Sequence, residues 1–286
     1  MLSHWNMLEG RMDELGKRSK VLVVVFLLFF FWVFENFRIT APITTVSSPK
    51  IRSTVTIVQI SDLHGYSFGF NNNYLLRAIE KQQPDIVAVT GDLFNRGDNR
   101  GKARALNLVK VLSERYPVYY VRGEHEGSSS LEDISDAGAT VLEYEKADLK
   151  IGETHISVYG CPTTGYYSSA DNVLEAIKVE DDNDYNILLA HIFYEEVFDK
   201  WKGDLVLSGD THGGGIRLPF IGPLMYYGIT FPKLSYDGPM YDKGLFNLGD
   251  KYLYVSPGLG NFPLPLRLFN HPELTVIKVV SSTQGN

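Results

Sequence analysis

Two kinds of hydrophobic pattern run along this chain. Residues 21–34 are uninterrupted apolar, dense in Phe, Leu and Val. From residue 55 onward, short apolar runs rich in β-branched residues alternate with stretches of helical period. The runs 55–60, 85–90 and 117–121 read as buried strands, too short and too β-branched for helices. Between them, 71–83 carries Leu75 and Ile79 at helical spacing, with an Asn cap at its start and Pro84 closing it. A second helical stretch covers roughly 102–115. The second half is richer in strands: 139–144, 155–159, 185–190, 205–207, 252–255 and 273–280, with one short helix near 171–179. In 155–159, His155, Ser157 and Tyr159 alternate with Ile156 and Val158, so His155 reads as an ordinary strand residue. Strand and helix alternating in this way predict a layered α/β body.

The apolar N-terminal run follows Lys17, Arg18 and Lys20. Residues 21–34 cover about 21 Å as a helix, short of a hydrocarbon core of roughly 30 Å. Extension through Phe37, with Lys20 and Arg38 snorkelling outward, brings the run closer to a span. A cleaved signal peptide is the competing reading. Against cleavage, the small-residue candidate at Ala41 is followed by Pro42 and has bulky Ile39 near it. The basic cluster places the N-terminal end in the cytoplasm and the body outside. The expected organisation is a cytoplasmic segment 1–20, a transmembrane anchor 21–38, a Thr-, Ser- and Pro-rich linker 39–53, a domain 54–281 and a tail 282–286. That describes a single-pass cell-membrane protein whose domain is extracytoplasmic.

An apolar fraction of 44% supports a sizeable core, and a formal charge of −7 argues against a nucleic-acid partner. The single cysteine, Cys161, excludes an internal disulfide and cysteine-rich metal sites. Composition leaves the oligomeric state open.

Chemistry collects at the carboxyl ends of the apolar runs. Five of them end in metal-ligand residue types: Asp62 and His64, Asp92, Glu124 and His125, His191, and Asp210 and His212. One such end is more often a strand cap than a ligand. Five of them, holding four of the chain's seven histidines, point to one shared crevice where sites form in α/β sheets. Mixed Asp and His donors suit borderline or hard divalent ions, namely Mn, Fe, Zn or Mg. So many candidate ligands exceed the need of one ion and suggest two ions sharing a carboxylate.

The motifs Asp62-Leu63-His64, Gly91-Asp92-Leu93-Phe94-Asn95, Gly123-Glu124-His125-Glu126, lone His191 and Gly209-Asp210-Thr211-His212 resemble, in order, those of the calcineurin-like metallophosphoesterases. The run 213–219 and the tail 256–269 are similar to the membrane-anchored or exported branch. The resemblance implies a four-layer αββα sandwich of two mixed β-sheets flanked by helices, here preceded by the N-terminal transmembrane helix. It implies hydrolysis of a phosphate mono- or diester by hydroxide activated between two divalent ions. Asp62, His64 and His212 would bind the first ion, Asp92 would bridge, and His191 would bind the second. His125 would lie beside the scissile phosphate and protonate or stabilise the leaving oxygen. Arg96 resembles a phosphate-contacting arginine, with a solvated loop charge as the alternative.

Two departures fall on the second ion. Glu124 stands where the family has Asn, and Asp210 where it has the first His of its last motif. The added carboxylates leave three outcomes open: a harder second ion of Mn or Mg type, an ion that binds only with substrate, or a crippled enzyme. The rival function is a non-catalytic membrane-tethered binding protein with a degenerate second metal site. The aromatic-rich loop 220–241, with Tyr226, Tyr227, Phe231, Tyr236 and Tyr241, would suit a lipid- or sugar-linked phosphate ester if it walled the site. It could equally pack on itself.

Overall fold

A computed structural model of the chain describes residues 2–224, 240–262 and 266–282, with 2–16 as backbone alone. Two six-stranded sheets form its centre. The strands, in chain order, are β1 (Ile43–Ser48), β2 (Val55–Ile60), β3 (Ile86–Val89), β4 (Val118–Tyr120), β5 (Thr140–Val141), β6 (Lys146–Ile151), β7 (Thr154–Cys161), β8 (Tyr185–Ala190), β9 (Leu205–Ser208), β10 (Arg217–Leu218), β11 (Gly222–Pro223), β12 (Gly244–Asn247), β13 (Tyr252–Val255) and β14 (Thr275–Ser281). The first sheet has the order β1-β14-β2-β3-β4-β5 and the second β12-β13-β9-β8-β7-β6, while β10 and β11 form a separate hairpin. Both large sheets are mixed: β2 to β5 run parallel with β14 antiparallel beside β2, and β7, β8, β9 and β13 run parallel between antiparallel β6 and β12.

Strand alternation sorts the core into three apolar layers. Val55 and Ile57 of β2, Ile86 and Ala88 of β3, Ile187 and Leu189 of β8 and Leu205 and Leu207 of β9 meet between the sheets. On the other face of the first sheet, Val58, Ile60, Val87 and Val89 pack on Leu75 and Ile79 of α2 (Asn73–Gln82) and on Ala105, Leu108 and Leu112 of α3 (Asn99–Ser113). Ile134 of α4 (Leu131–Asp136) closes that layer. Beyond the second sheet, Leu188, Ala190 and Val206 pack on Val173 of α5 (Ala170–Ala176) and on Val197 and Phe198 of α6 (Glu195–Lys200), with Trp201 just after it. The result is the αββα sandwich. Buried on both faces, the central strands are continuous apolar runs.

The expected linker 39–53 is instead part of this body. β1 pairs in parallel with β14, Ile43 opposite Val276, and Val46 enters the inter-sheet core. Its Thr- and Ser-rich composition reflects an edge position with half of its residues open to water. The helix before it, α1 (Leu2–Phe37), exposes Val21 through Phe31, but its last turn is seated on the domain. Glu35 and Asn36 are buried there. Asn36 Oδ1 accepts from the Arg267 N–H at 2.7 Å, and Glu35 Oε2 from the Phe269 N–H at 2.5 Å. The segment Lys17–Phe37 is long and apolar enough to cross a membrane.

Candidate metal centre

The first motif loop follows β2, and its backbone changes hand at once. Asp62 (φ 51°) and His64 (φ 48°) are left-handed, as are Asp92 (φ 55°), Asp210 (φ 72°) and His212 (φ 49°). Among non-glycine residues, Asp, Asn and His tolerate this region best. These turns fold the chain back so that side chains from separate strand ends face one point. Gly91 (φ 84°) lets two of the loops touch: a Cβ there would lie 2.7 Å from Gly123 Cα and 2.9 Å from His191 Nδ1.

Three overlapping groups result, each with ligand atoms within 4.8 Å of one another: Asp62, His64 and His212; His64, Asp92 and His125; and Asp62, Asp92 and His191. Asp92 Oδ2 lies 3.3 Å from His191 Nε2, 3.7 Å from His64 Nε2 and 3.8 Å from His125 Nε2. Asp92 Oδ1 accepts the His125 N–H at 2.9 Å. On the opposite side, His212 Nε2 is 3.8 Å from Asp62 Oδ1 and 3.1 Å from His64 Nε2.

The rings are aimed by hydrogen bonds behind them. His64 Nδ1 sits 2.8 Å from Asn95 Oδ1, and His191 Nδ1 2.7 Å from the Thr90 carbonyl. Both partners are acceptors, so each Nδ1 carries a proton and each Nε2 faces the cluster. The loops themselves are tied by buried Glu126, whose carboxylate accepts from the backbone N–H groups of Asp92, Leu93 and Gly123. Asn95 and Glu126 belong to the motifs, yet their supporting roles are evident only once their partners are seen.

Electrostatics matches the crowding. Burial pushes the Asp62 carboxyl up to about 6, His191 opposing. Burial likewise raises Asp210 to about 6 against the pull of His191. Burial lowers the His64 imidazole to about 4 and, with His64 adding to it, holds His212 well below its usual range. At His191 burial also works against charge, but the carboxylates of Asp92, Asp62 and Asp210 outweigh it and hold the imidazole well above the ordinary value. His191 Nε2 nonetheless makes no well-formed hydrogen bond, although it is fully buried. Two neutral imidazole nitrogens facing each other, an orphaned third and two buried carboxylates form a donor set that a divalent cation would satisfy.

Not every expected ligand joins the cluster. Asp210 is at its edge, 4.0 Å from His191 Nε2, with its N–H directed at Asp62 Oδ1 and Oδ2 (3.2 and 3.3 Å). Glu124 stands outside all three groups; its side chain is 43% exposed and approaches His125 Nε2 at 3.6 Å. Arg96 is exposed in a cleft of about 460 Å³ shared with Asn95 and Ser128 to Ser130, and its N–H donates to the His125 carbonyl at 3.0 Å. Phe262 stacks on His64 (5.4 Å) and meets His125 edge-on (4.6 Å). Nothing in the sequence sets it apart from other loop aromatics. Of the loop expected as an apolar wall, Tyr226, Tyr227, Phe231 and Tyr236 lie outside the described residues, and Tyr241 packs on Phe193 and Phe246.

A family model described as calcineurin-like phosphoesterase matches residues 55–214, from β2 to the loop just past His212. The chain belongs to this family. An uncharacterized metallophosphoesterase of Aquifex aeolicus is 31% identical over 220 residues, covering 71% of this chain and 76% of that protein. One of Campylobacter jejuni is 27% identical and covers 96% of this chain and 76% of its own length. One of Bacillus subtilis is 28% identical, covering 79% of each. Among solved structures, a Thermus thermophilus sulfate thiohydrolase, SoxB, is similar at 14% identity with a TM-score of 0.44, over 71% of this chain and 52% of that one.

Proposed function

We propose that this protein is a membrane-anchored, metal-dependent phosphoesterase that hydrolyses a phosphate mono- or diester. The observation that carries this reading is Asp92, one carboxylate oxygen of which lies within 3.8 Å of three imidazole nitrogens. Asp62, His64, His212 and Asp92 would hold one divalent ion, and Asp92, His191 and Asp210 a second, of Mn, Fe, Zn or Mg type. Such ions supply Lewis acidity toward a phosphoryl oxygen and an activated water.

The chain's own residues do the rest. Asn95 and the Thr90 carbonyl hold the His64 and His191 rings so that each presents Nε2 inward. His125 is partly exposed at the mouth of the cluster, where its Nε2 can hold a proton and deliver it to a leaving alkoxide. Arg96, tied through its backbone to His125, is within the same loop pair and can pair with a phosphate oxygen. The apolar helix would keep the protein in the cell membrane, crossing once with the domain outside, and a lipid- or sugar-linked ester would suit that setting.

Turnover of bis-p-nitrophenyl phosphate and p-nitrophenyl phosphate with Mn, Mg, Zn and Ca tests the reading. Asp92→Asn and His125→Ala should each lower kcat about 100-fold or more. Absence of turnover with every ion would favour the second reading, a tethered binding protein with one functional cation site. The half-exposed place of Glu124 at the cluster's mouth and the peripheral one of Asp210 are what speak for it.

A further inference from the structure

The seating of α1 constrains where the domain can stand relative to a bilayer. At about 1.5 Å per residue, the run 21–34 falls roughly 9 Å short of a 30 Å hydrocarbon core, so the turn 35–37 must lie at or inside the interface. That turn is the one locked to the domain by Glu35 and Asn36. No flexible segment intervenes, because Thr40 already donates to the Pro272 carbonyl (2.8 Å) and β1 begins at Ile43. Phe269 reaches further, its ring 6.4 Å from that of Phe31. Phe31 precedes Phe37 by about 9 Å along the helix axis. Part of the domain therefore stands at the level of the apolar helix surface.

The surface at that level is apolar. Phe269 is half exposed and shares a shallow pocket with Phe220 and Ile221 of the β10–β11 hairpin tip. Phe220 is wholly exposed, and Leu266 lies exposed in the same loop as Phe269. Arg217 fixes the hairpin to this loop, its N–H on the Leu268 carbonyl at 2.9 Å. The patch adjoins the metal centre: Asn270, next to Phe269, donates through Nδ2 to the His212 carbonyl at 2.7 Å, and Phe262 lies against His64 and His125.

We propose that Phe220, Ile221, Leu266 and Phe269 form a membrane-seating surface that inserts into the lipid headgroup layer beside α1, holding the mouth of the metal centre against the bilayer. The occupant is the lipid surface itself, because the patch is continuous with the helix that would cross it. This inference rests on α1 being a membrane anchor. Inserted aromatic and aliphatic side chains would extend the apolar surface beyond the run 21–34, and would fix the orientation of the site. A site so placed receives phosphate groups carried in the membrane plane.

Depth-dependent quenching tests the proposal on the full chain in vesicles of equal parts phosphatidylcholine and phosphatidylglycerol. Single variants Phe220→Cys, Phe269→Cys, Leu27→Cys and Asn183→Cys are labelled with bimane, buried Cys161 being left in place. Asn183 precedes β8, at the end of that strand opposite His191. A lipid with its nitroxide just below the headgroup should quench positions 220 and 269 by about half and leave 183 unchanged. Quenching at 27 without quenching at 220 and 269 overturns the seating while the anchor stands. No quenching at 27 overturns the anchor itself, and the seating with it. Equal quenching at 183 would mean indiscriminate adsorption and also overturns the proposal. Fully exposed Phe220 carries the test if Phe269→Cys fails to fold.

Discussion

Asn95 Oδ1 lies 2.8 Å from Nδ1 of His64, and this contact decides which ring nitrogen looks into the metal centre. Asn95→Ala removes the acceptor and frees the ring to turn or change tautomer. Loss of such a supporting partner typically weakens cation binding about 10–100-fold. Titration of metal-free protein with Mn or Zn, followed by calorimetry, should show that loss, and Asn95→Asp should recover most of it. Unchanged affinity in Asn95→Ala would mean that packing alone aims the ring.

Glu126 should matter to folding more than to turnover. Its carboxylate takes three backbone N–H groups from two loops, all of them buried. Glu126→Ala leaves those donors without partners, at about 1–3 kcal/mol each before relaxation or water entry. We expect a loss of several kcal/mol in urea unfolding, and a smaller loss for Glu126→Gln, which keeps one amide oxygen as acceptor. Equal stability of the Ala variant would show that water replaces the carboxylate.

Metal removal should be visible in the melting temperature. The cluster gathers buried carboxylates and an orphaned His191 nitrogen, so a cation that binds only the folded chain stabilises it. At a concentration 100 times its Kd the gain is about 2.7 kcal/mol. Differential scanning fluorimetry should show Tm falling with EDTA and recovering with excess Mn or Zn. In Asp92→Asn the recovery should be largely lost.

Cys161 supplies the cleanest pH dependence. Burial pushes its thiol from an ordinary 9.0 up to about 12, with Glu143 adding to the shift. Below pH 9 both folded and unfolded chains keep the proton, and the residue contributes no pH dependence. Above it the unfolded chain releases the proton while the folded one retains it, so stability falls as pH rises. Iodoacetamide at pH 9 should therefore modify Cys161 in urea and leave the native protein untouched. Rapid native labelling would show that the α5–α6 layer opens readily.

The sheet interior was legible because β2, β3, β8 and β9 are buried on both faces and appear as unbroken apolar runs ending at the site. β1 is not legible in the sequence, since an edge strand with a single neighbour needs few apolar side chains. Lys146–Ile151 pairs only with β7, also at an edge, and its charged side chains hide it in the same way. The convergence of Asp62, His64, Asp92, His191 and His212 was foreshadowed by their places at strand ends. The half-exposed place of Glu124, beside His125 and outside the three groups, has no such signal, because one position decides how far a loop side chain reaches into the cluster. Thr90 aims His191 through a backbone carbonyl, which any residue type would supply.

The left-handed backbone at Asp62, His64, Asp92, Asp210 and His212 also limits which amino acids can ever occupy this centre. Valine, isoleucine or threonine at these places would crowd their own peptide groups, so Asp, Asn, His and Gly are the favoured residues there. Asp210 in place of the family's His is an exchange within that set. An exchange of a donor oxygen for a nitrogen at such a position would keep the loop's shape, so that a change of preferred ion would need no refolding of the protein.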